Sequence, residues 1–295
     1  MSVPAAPVAD AVATAPVTAR RRSGRWVSRL GIGGWVALAV VTVVLLVAAL
    51  GPLVLSTDPD EVNLSYGYVG PIPGHPLGFD GEGRDLLARL IHGARTALIG
   101  PAIVVAVSTV LGTAIALAAA WVGGVFDTVV ARVTDAMFAF PGLLLALLAV
   151  SLFSPGVTVA AVALSISYTP YTARIVRSAA LKERSLPYVA ALGVQGFTGG
   201  RIVLRHILPN ILITVVAVAT LSFGYALIDL AALSFTGLGV QPPQSDWGVM
   251  VAEGVNGIIA GYPQESLFAG GLIVITVGAV NFLGDRIEAT SEVPG

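Results

Sequence analysis

Long uncharged stretches alternate with short polar segments along this chain. No charged residue occurs from Leu30 to Leu55 or from Thr96 to Phe126. Because about 20 apolar residues are enough for a helix to cross a bilayer, each stretch predicts one spanning helix. The uncharged stretch from Ala136 to Ala173 is about twice as long as one span needs, and Ser154-Pro155-Gly156 near its centre favours a turn between two helices. Six spans are predicted, at about residues 30–55, 97–122, 133–153, 157–181, 207–236 and 266–284.

The polar segments differ in character. Residues 1–29 join an Ala-, Pro-, Val- and Thr-rich stretch to clustered arginines, which predicts a disordered basic arm. A signal peptide has an apolar region of about 7–15 residues, so the longer run that follows favours a retained first span over a signal peptide or a twin-arginine export signal. Residues 56–95 and 237–262 are predicted loops, and residues 289–295 a tail. From Arg84 onward, leucines at helical spacing predict an amphipathic helix at the membrane interface before span two.

The distribution of basic residues predicts the orientation. Of the 16 Lys and Arg residues, only Arg84, Arg89 and Arg95 fall in the two predicted loops 56–95 and 237–262. All the others lie on the side of the chain termini and of residues 183–206. Cytoplasmic loops of membrane proteins carry the excess of Lys and Arg. Both termini and residues 183–206 are therefore predicted to be cytoplasmic.

Composition supports a membrane protein and excludes several kinds of chemistry. Charged residues make up 11% of the 295 residues, hydrophobic residues 56%, and the mean hydropathy is +0.87. Soluble domains carry about 25% charged residues, so an integral membrane protein is predicted, with lipid rather than nucleic acid around it. The absence of cysteine excludes disulfides and thiolate chemistry. The sequence also has no Gly-x-x-x-x-Gly-Lys-Ser/Thr phosphate loop, so no bound cofactor, catalytic residue or metal site is predicted.

The predicted cytoplasmic segment 183–206 has the pattern of a short helix. Ser185 can act as its N-cap, and Pro187 is tolerated in the first turn. Small residues dominate from Tyr188 to Gln195, and Gly196 suits the left-handed position that ends a helix. Basic residues flank this helix, which favours a docking helix for a soluble partner over a plain surface loop.

Span four and span five contain polar residues that are unusual within a membrane. Such groups face other helices, water or a transport pathway rather than lipid. Candidate pathway-lining residues are Ser165, Tyr168, Thr169, Thr172 and Asp229. Ordinary contacts between helices are the alternative interpretation.

Segment 183–206 resembles the EAA loop of ABC-importer permeases, in which Glu-Ala-Ala is followed by three residues, Gly and, further on, Leu-Pro. Ala190, Ala191 and Leu192 take the opening positions, Gly196 follows at the matching spacing, and Leu208-Pro209 closes the motif. The acid and the second alanine of the pattern are absent here. The resemblance implies contact with ATPase subunits through Ser185, Pro187, Tyr188, Ala190, Ala191, Leu192, Gly196, Arg201, Leu208 and Pro209.

The resemblance extends over about residues 30–288. Residues 75–80, 205–210, 233–243 and 281–285 are similar to motifs of the C-type permease of dipeptide, oligopeptide and nickel importers. At one point the chain departs from that family, which often has an acid where Leu230 stands; here the acid is Asp229, one position earlier. A shift of one residue turns a helix by about 100°, so no family role is carried over to Asp229.

The resemblance implies an all-α type I ABC-importer permease fold with six transmembrane helices, in the plasma membrane of a prokaryote. It implies a homologous B-type permease, two cytoplasmic ATPases that bind ATP and Mg, and an extracytoplasmic substrate-binding protein. The expected cargo is a di- or oligopeptide, with a nickel chelate as the alternative. An ion-coupled secondary transporter and a membrane-embedded enzyme are further alternatives, although the sequence shows no clear internal repeat and no nucleophile–base pattern.

Overall fold

The computed structural model describes residues 31–55 and 57–291, so the predicted arm at residues 1–29 and most of the predicted tail lie outside the described residues. Apart from two isolated bridges, the regular structure of this part of the chain is helical. A 3₁₀ turn spans Leu64–Tyr66, and a π-helical turn, Val203–Ile207, joins α7 to α8. The α-helices are α1 Gly31–Val54, α2 Leu86–Val122, α3 Gly124–Phe138, α4 Gly142–Phe153, α5 Val157–Arg184, α6 Pro187–Val194, α7 Gly199–Ile202, α8 Leu208–Phe235, α9 Trp247–Ile259 and α10 Gln264–Ser291.

Several of these helices can cross a membrane. Over the described residues, four helices are long and apolar enough to do so: α1, α2, α10 and the continuous rod Gly199–Phe235 that contains α7 and α8. The bent pair formed by α3 and α4 gives a fifth span if it is counted as one. Helix α5 has 28 residues, but its Ser, Thr and Tyr side chains lower its hydropathy. The helical membrane architecture is confirmed, whereas six spans and cytoplasmic termini stay predictions.

The third predicted span, residues 133–153, is not one straight helix. Helices α3 and α4 meet at an angle of 77°. Pro141 stands at this bend with extended backbone angles, φ −60° and ψ 125°. Proline lacks an N–H and disfavours a helical conformation of the residue before it, so the helix stops before Pro141 and restarts at Gly142. The predicted span at residues 133–153 therefore corresponds to two helices with a bend between them, which the sequence interpretation did not foresee.

The predicted interfacial helix and the second span form one continuous helix. Helix α2 begins at Leu86, capped by the Asp85 side chain, which accepts a hydrogen bond from the Ala88 N–H at 2.6 Å. It then runs for 37 residues. The amphipathic helix was predicted because Leu86, Leu87, Leu90 and Ile91 share one helix face. Arg89, on the same helix, is fully buried among acidic side chains, and the helix continues into the bundle without a break.

Helices α2, α5 and α8 pack against one another at the centre of the bundle. Small residues permit this close approach; a side chain added at Gly112 of α2 would place its Cβ 2.7 Å from the Thr172 Cβ of α5. Packing through small residues is typical of helices in membranes. The two ends of the bundle differ. We call the end that carries α6 and α7 the α6 end, and the end that carries residues 57–85 and α9 the α9 end.

Candidate functional site

The short helix α6 forms where the EAA-like pattern predicts it, but its first turn differs from the prediction. Helix α5 continues to Arg184, so Ser185 has helical backbone angles, φ −75° and ψ −8°, and its hydroxyl donates to the Lys182 carbonyl at 2.7 Å. An N-cap residue needs an extended backbone, so Ser185 does not cap α6. Leu186 takes that position, and Pro187 follows it as the first helical residue, where a missing N–H has no consequence.

One face of α6 is fixed to the bundle. Val189 is buried, and Leu192 is half-buried, in a cluster that includes Val176 and Ile202. The Tyr188 hydroxyl donates a hydrogen bond to Glu183 Oε1 at 2.5 Å, and Asn210 Nδ2 donates to the same oxygen at 2.7 Å. Burial, together with the Glu183 carboxylate, raises the pKa of Tyr188 to about 12, so Tyr188 stays a neutral donor. These bonds hold α6 to both α5 and α8.

A second contact ties this region to the end of α2. The Arg184 guanidinium donates to the Ala120 carbonyl and lies over the Trp121 ring, 5.4 Å from its centroid. Gly199, the first residue of α7, packs against the same indole so closely that a Cβ there would overlap it. Next to it, the Arg201 guanidinium lies 4.9 Å from the centroid of the Phe197 ring. The residues of the α6 end are therefore held in place by specific contacts with α2, α5 and α8.

The opposite face of α6 is exposed and carries no charge. Pro187, Ala190, Ala191 and Val194 follow the i, i+3, i+4, i+7 spacing of one helix face, and all four are exposed. Val194 is 91% exposed although it is a large apolar side chain. An exposed apolar face at the end of a membrane bundle is typical of a protein contact. We call these four residues the outward face of α6.

The structure divides the residues predicted to contact ATPases into two groups. Tyr188, Leu192 and Leu208 are half-buried and anchor the segment. The exposed group consists of Ser185, Pro187, Ala190, Ala191, Gly196, Arg201 and Pro209. Val194 was missed, although its spacing from Ala190 and Ala191 was a signal in the sequence. A coupling role for either group stays a prediction.

Helix α6 ends in a motif that needs glycine. Gly196 has φ +82°, its N–H donates to the Gly193 carbonyl at 3.0 Å, and the Phe197 N–H donates to the Leu192 carbonyl at 3.2 Å. This pair of bonds is a Schellman motif. The sequence prediction that Gly196 has a positive φ is confirmed.

Gly193 provides a matched control for Gly196, since an added Cβ would meet nothing within 4 Å at either residue and only Gly196 has a positive φ. Gly196→Ala should destabilise the end of α6 by about 1 kcal/mol. Gly193→Ala should leave α6 unchanged or stabilise it, because alanine is the better helix former. Hydrogen exchange of the α6 amides measures both effects. Faster exchange in both variants, or in neither, would contradict the role of φ.

Polar residues of α5 and α8 meet inside the bundle. The Tyr168 hydroxyl donates a hydrogen bond to Asp229 Oδ2 at 2.9 Å, and both side chains are half-buried. The other three candidate pathway residues are buried between helices. The Ser165 hydroxyl donates to the Ala161 carbonyl, the Thr169 hydroxyl donates to the Ser165 carbonyl, and Thr172 packs against Gly112. Pathway lining stays a prediction for all five residues.

The α9 end contains a buried ion-pair cluster that the sequence interpretation missed. Arg89 is fully buried and lies 2.7 Å from both Asp80 and Glu253 and 3.0 Å from Glu265. Arg84, also buried, lies 2.6 Å from Asp80 and 3.0 Å from Glu253. Burial alone would lower the pKa of Arg84, but Asp80 and Glu253 raise it above its usual value. The cluster joins residues 57–85 to α2, α9 and α10.

Helix α9 was also missing from the sequence interpretation, which treated residues 237–262 as a loop. The Asp246 side chain caps it by accepting hydrogen bonds from the Gly248 and Val249 N–H groups at 2.9 and 3.3 Å. Trp247 is buried, and its indole N–H donates to the Leu90 carbonyl of α2 at 3.0 Å. An Asp before an apolar run is a helix-start signal that could have revealed α9.

The described residues form a helical bundle with a firmly held helix at one end, and this helix has an exposed apolar face, as expected of a transport permease with a docking helix. Residues 89–289 match the profile of the family described as binding-protein-dependent transport system inner membrane component. The chain therefore belongs to this family and is a multi-pass protein of the bacterial plasma membrane. Membership makes it a transport subunit, which sets aside the secondary-transporter and enzyme alternatives.

Individual relatives cover most of the chain. The dipeptide transport system permease protein DppC of Alkalihalophilus pseudofirmus is 36% identical over 253 residues, which is 86% of this chain and 83% of the relative. The protein of the same name from Haemophilus influenzae is 32% identical over 262 residues, 87% and 88% of the two chains. Among solved structures, a chain of the MetNI methionine ABC transporter in inward facing conformations is similar to this chain, with a TM-score of 0.58 and 21% sequence identity. The match includes 70% of this chain and 98% of the MetNI chain. The ABC-importer permease fold is thus confirmed.

Proposed function

We propose that this chain forms one half of the translocation pathway of an ATP-driven importer of di- and oligopeptides. The relatives named as dipeptide permeases support this cargo, because they match the chain over most of its length. A homologous B-type permease forms the other half of the pathway. An extracytoplasmic binding protein delivers the peptide to the pair.

Coupling to ATP occurs at the α6 end. Two cytoplasmic ATPase subunits bind ATP and Mg, and α6 lies in a cleft on one of them. The observation that carries this proposal is the two-sided character of α6: Tyr188, Glu183 and Asn210 fix one face to the bundle, while the opposite face is exposed and uncharged. A helix held this rigidly transmits the closure of the ATPases to α5 and α8 as a lever, in the manner of a hinge transition.

The clustering of basic residues supports a cytoplasmic α6 end. Lys182, Arg184, Arg201 and Arg205 lie within or beside the docking segment, and cytoplasmic loops carry such an excess. With this orientation the α9 end faces the outside, where a binding protein would dock.

Reconstitution of the purified complex into liposomes tests the proposal. Vesicles that contain this chain, its partner permease and the ATPases should accumulate radiolabelled alanyl-alanine when ATP and the binding protein are present, and should not do so with a non-hydrolysable ATP analogue. Nickel accumulation without alanyl-alanine accumulation would contradict the cargo. Equal uptake by a complex in which this chain is the only permease would contradict the paired pathway.

A further inference from the structure

Asp229 differs from Asp127 and Asp135, the acidic residues of α3. Asp127 and Asp135 of α3 are each paired with an arginine of α5, Arg177 and Arg174 respectively. Within residues 31–55 and 57–291, no Lys, Arg or His side chain lies within ion-pair distance of Asp229. Its hydrogen bond comes instead from the neutral Tyr168 hydroxyl.

Asp229 and Tyr168 lie inside their helices and not at the helix ends. Asp229 precedes Phe235, the last residue of α8, by less than two turns of helix, or about 9 Å along the axis. Tyr168 lies about 16 Å along α5 from its first residue, Val157. A carboxylate within a membrane-spanning helix is costly against lipid, and such residues normally face a partner or a water-filled pathway.

Two further tyrosines lie on the same helix faces as this pair. Tyr225 and Asp229 lie one turn apart on one face of α8, and Tyr168 and Tyr171 lie at i, i+3 on one face of α5. The bond from Tyr168 to Asp229 joins the two faces. Tyr225 is 52% exposed. In the isolated chain the strip is therefore accessible at the surface of the bundle. We call Tyr168, Tyr171, Tyr225 and Asp229 the tyrosine–aspartate strip.

We propose that the tyrosine–aspartate strip binds the N-terminal ammonium group of the transported peptide. The Tyr168 bond uses one acceptor position on Asp229 Oδ2, and an ionised carboxylate has about four. An ammonium group fits the remaining positions through charge-assisted hydrogen bonds. Tyrosine rings attract cations through their faces. The rings of the strip therefore also stabilise the ammonium group after it has lost part of its hydration shell.

The chemistry of the strip favours an ammonium group over a metal ion. It offers a single carboxylate with neutral phenols, whereas hard divalent cations take about six or more oxygen ligands. A peptide ammonium needs only three acceptors or ring faces. This inference rests on the proposed function, because the ammonium is that of the peptide cargo.

Saturation-transfer NMR on the complete transporter in nanodiscs, without the binding protein, tests the inference. Alanyl-alanine is the probe, and N-acetyl-alanyl-alanine, which lacks the ammonium, is the competitor. The wild-type complex should bind alanyl-alanine at least about tenfold more tightly than the acetylated peptide, since a hydrogen bond to a charged group contributes on this scale. Asp229→Asn should remove that preference, and Asp229→Glu should restore part of it. Tyr168→Phe, which keeps the ring and loses the hydrogen bond, should weaken binding by a smaller factor.

Asp135→Asn is the matched control, because it removes a carboxylate that is already paired with Arg174, and it should leave binding unchanged. Equal binding of the two peptides by the wild-type complex would overturn the inference without any substitution, so the test does not depend on the folding of a variant. Retained preference in Asp229→Asn would overturn it as well. Uptake of alanyl-alanine by the wild-type complex in liposomes separates the two proposals: uptake without the ammonium preference defeats only the strip, and absence of uptake defeats the peptide cargo and the strip together.

Discussion

Arg89→Ala is expected to lower the free energy of unfolding by about 3–5 kcal/mol, the usual effect of removing one partner from a buried ion pair. Arg89 is fully buried, and its removal leaves Asp80, Glu253 and Glu265 facing one another with only Arg84 to balance them. The predicted result is a much lower melting temperature of the purified complex and less protein in the membrane. Thermal unfolding followed by tryptophan fluorescence measures it directly, because Trp247 lies buried at the same end.

Arg95→Ala provides the control for this substitution. Arg95 lies in the same helix but is exposed, and substitutions at exposed positions usually change stability by no more than about 0.5 kcal/mol. Equal melting temperatures of Arg89→Ala and the wild type would contradict the cluster. The effect of Arg89→Ala should also depend little on salt, since salt screens buried pairs much less than exposed ones.

Helices could be predicted from the sequence where the only requirement is that the segment lies in lipid. An uncharged stretch of sufficient length must be a helix, because its backbone groups have no water to bind. Arg89 could not be interpreted in this way. In the sequence it is an isolated charged residue, and only the fold places Asp80, Glu253 and Glu265 around it. The length of α2 therefore depends on contacts from residues that are distant in the chain.

In the docking helix and the Tyr168–Asp229 pair, too, local features could be predicted and features that depend on distant contacts could not. The end of α6 could be predicted because Gly196 obeys a local rule that relates glycine to a positive φ. The start could not be placed correctly, because whether Ser185 caps α6 depends on how far α5 continues. The outward face is fixed by the bonds of Tyr188 to Glu183 and of Asn210 to the same oxygen. The pair of Tyr168 with Asp229 likewise depends on the rotation of two helices about their axes.

Val194→Lys is expected to reduce ATP-driven uptake by about tenfold or more while the protein remains folded. Val194 is 91% exposed, so the substitution removes almost no packing from the bundle. A lysine in the last turn of a helix is also compatible with the helix dipole. If the outward face lies in an ATPase cleft, however, the new charge loses its water without gaining a partner, at a cost of about 2 kcal/mol or more. Uptake of alanyl-alanine at equal expression, together with copurification of the ATPases, measures this effect.

Thr198→Lys introduces the same charge at a nearby exposed residue beyond the end of α6. Thr198 stands before α7 and makes no capping hydrogen bond through its side chain, so its replacement removes no described contact. This variant should retain most of the uptake, because Thr198 is not on the outward face. Normal uptake by Val194→Lys would show that this face does not contact an ATPase. Equal losses in the two variants would indicate a general effect of positive charge at the α6 end, and the assignment of the docking face to Pro187, Ala190, Ala191 and Val194 would then be wrong.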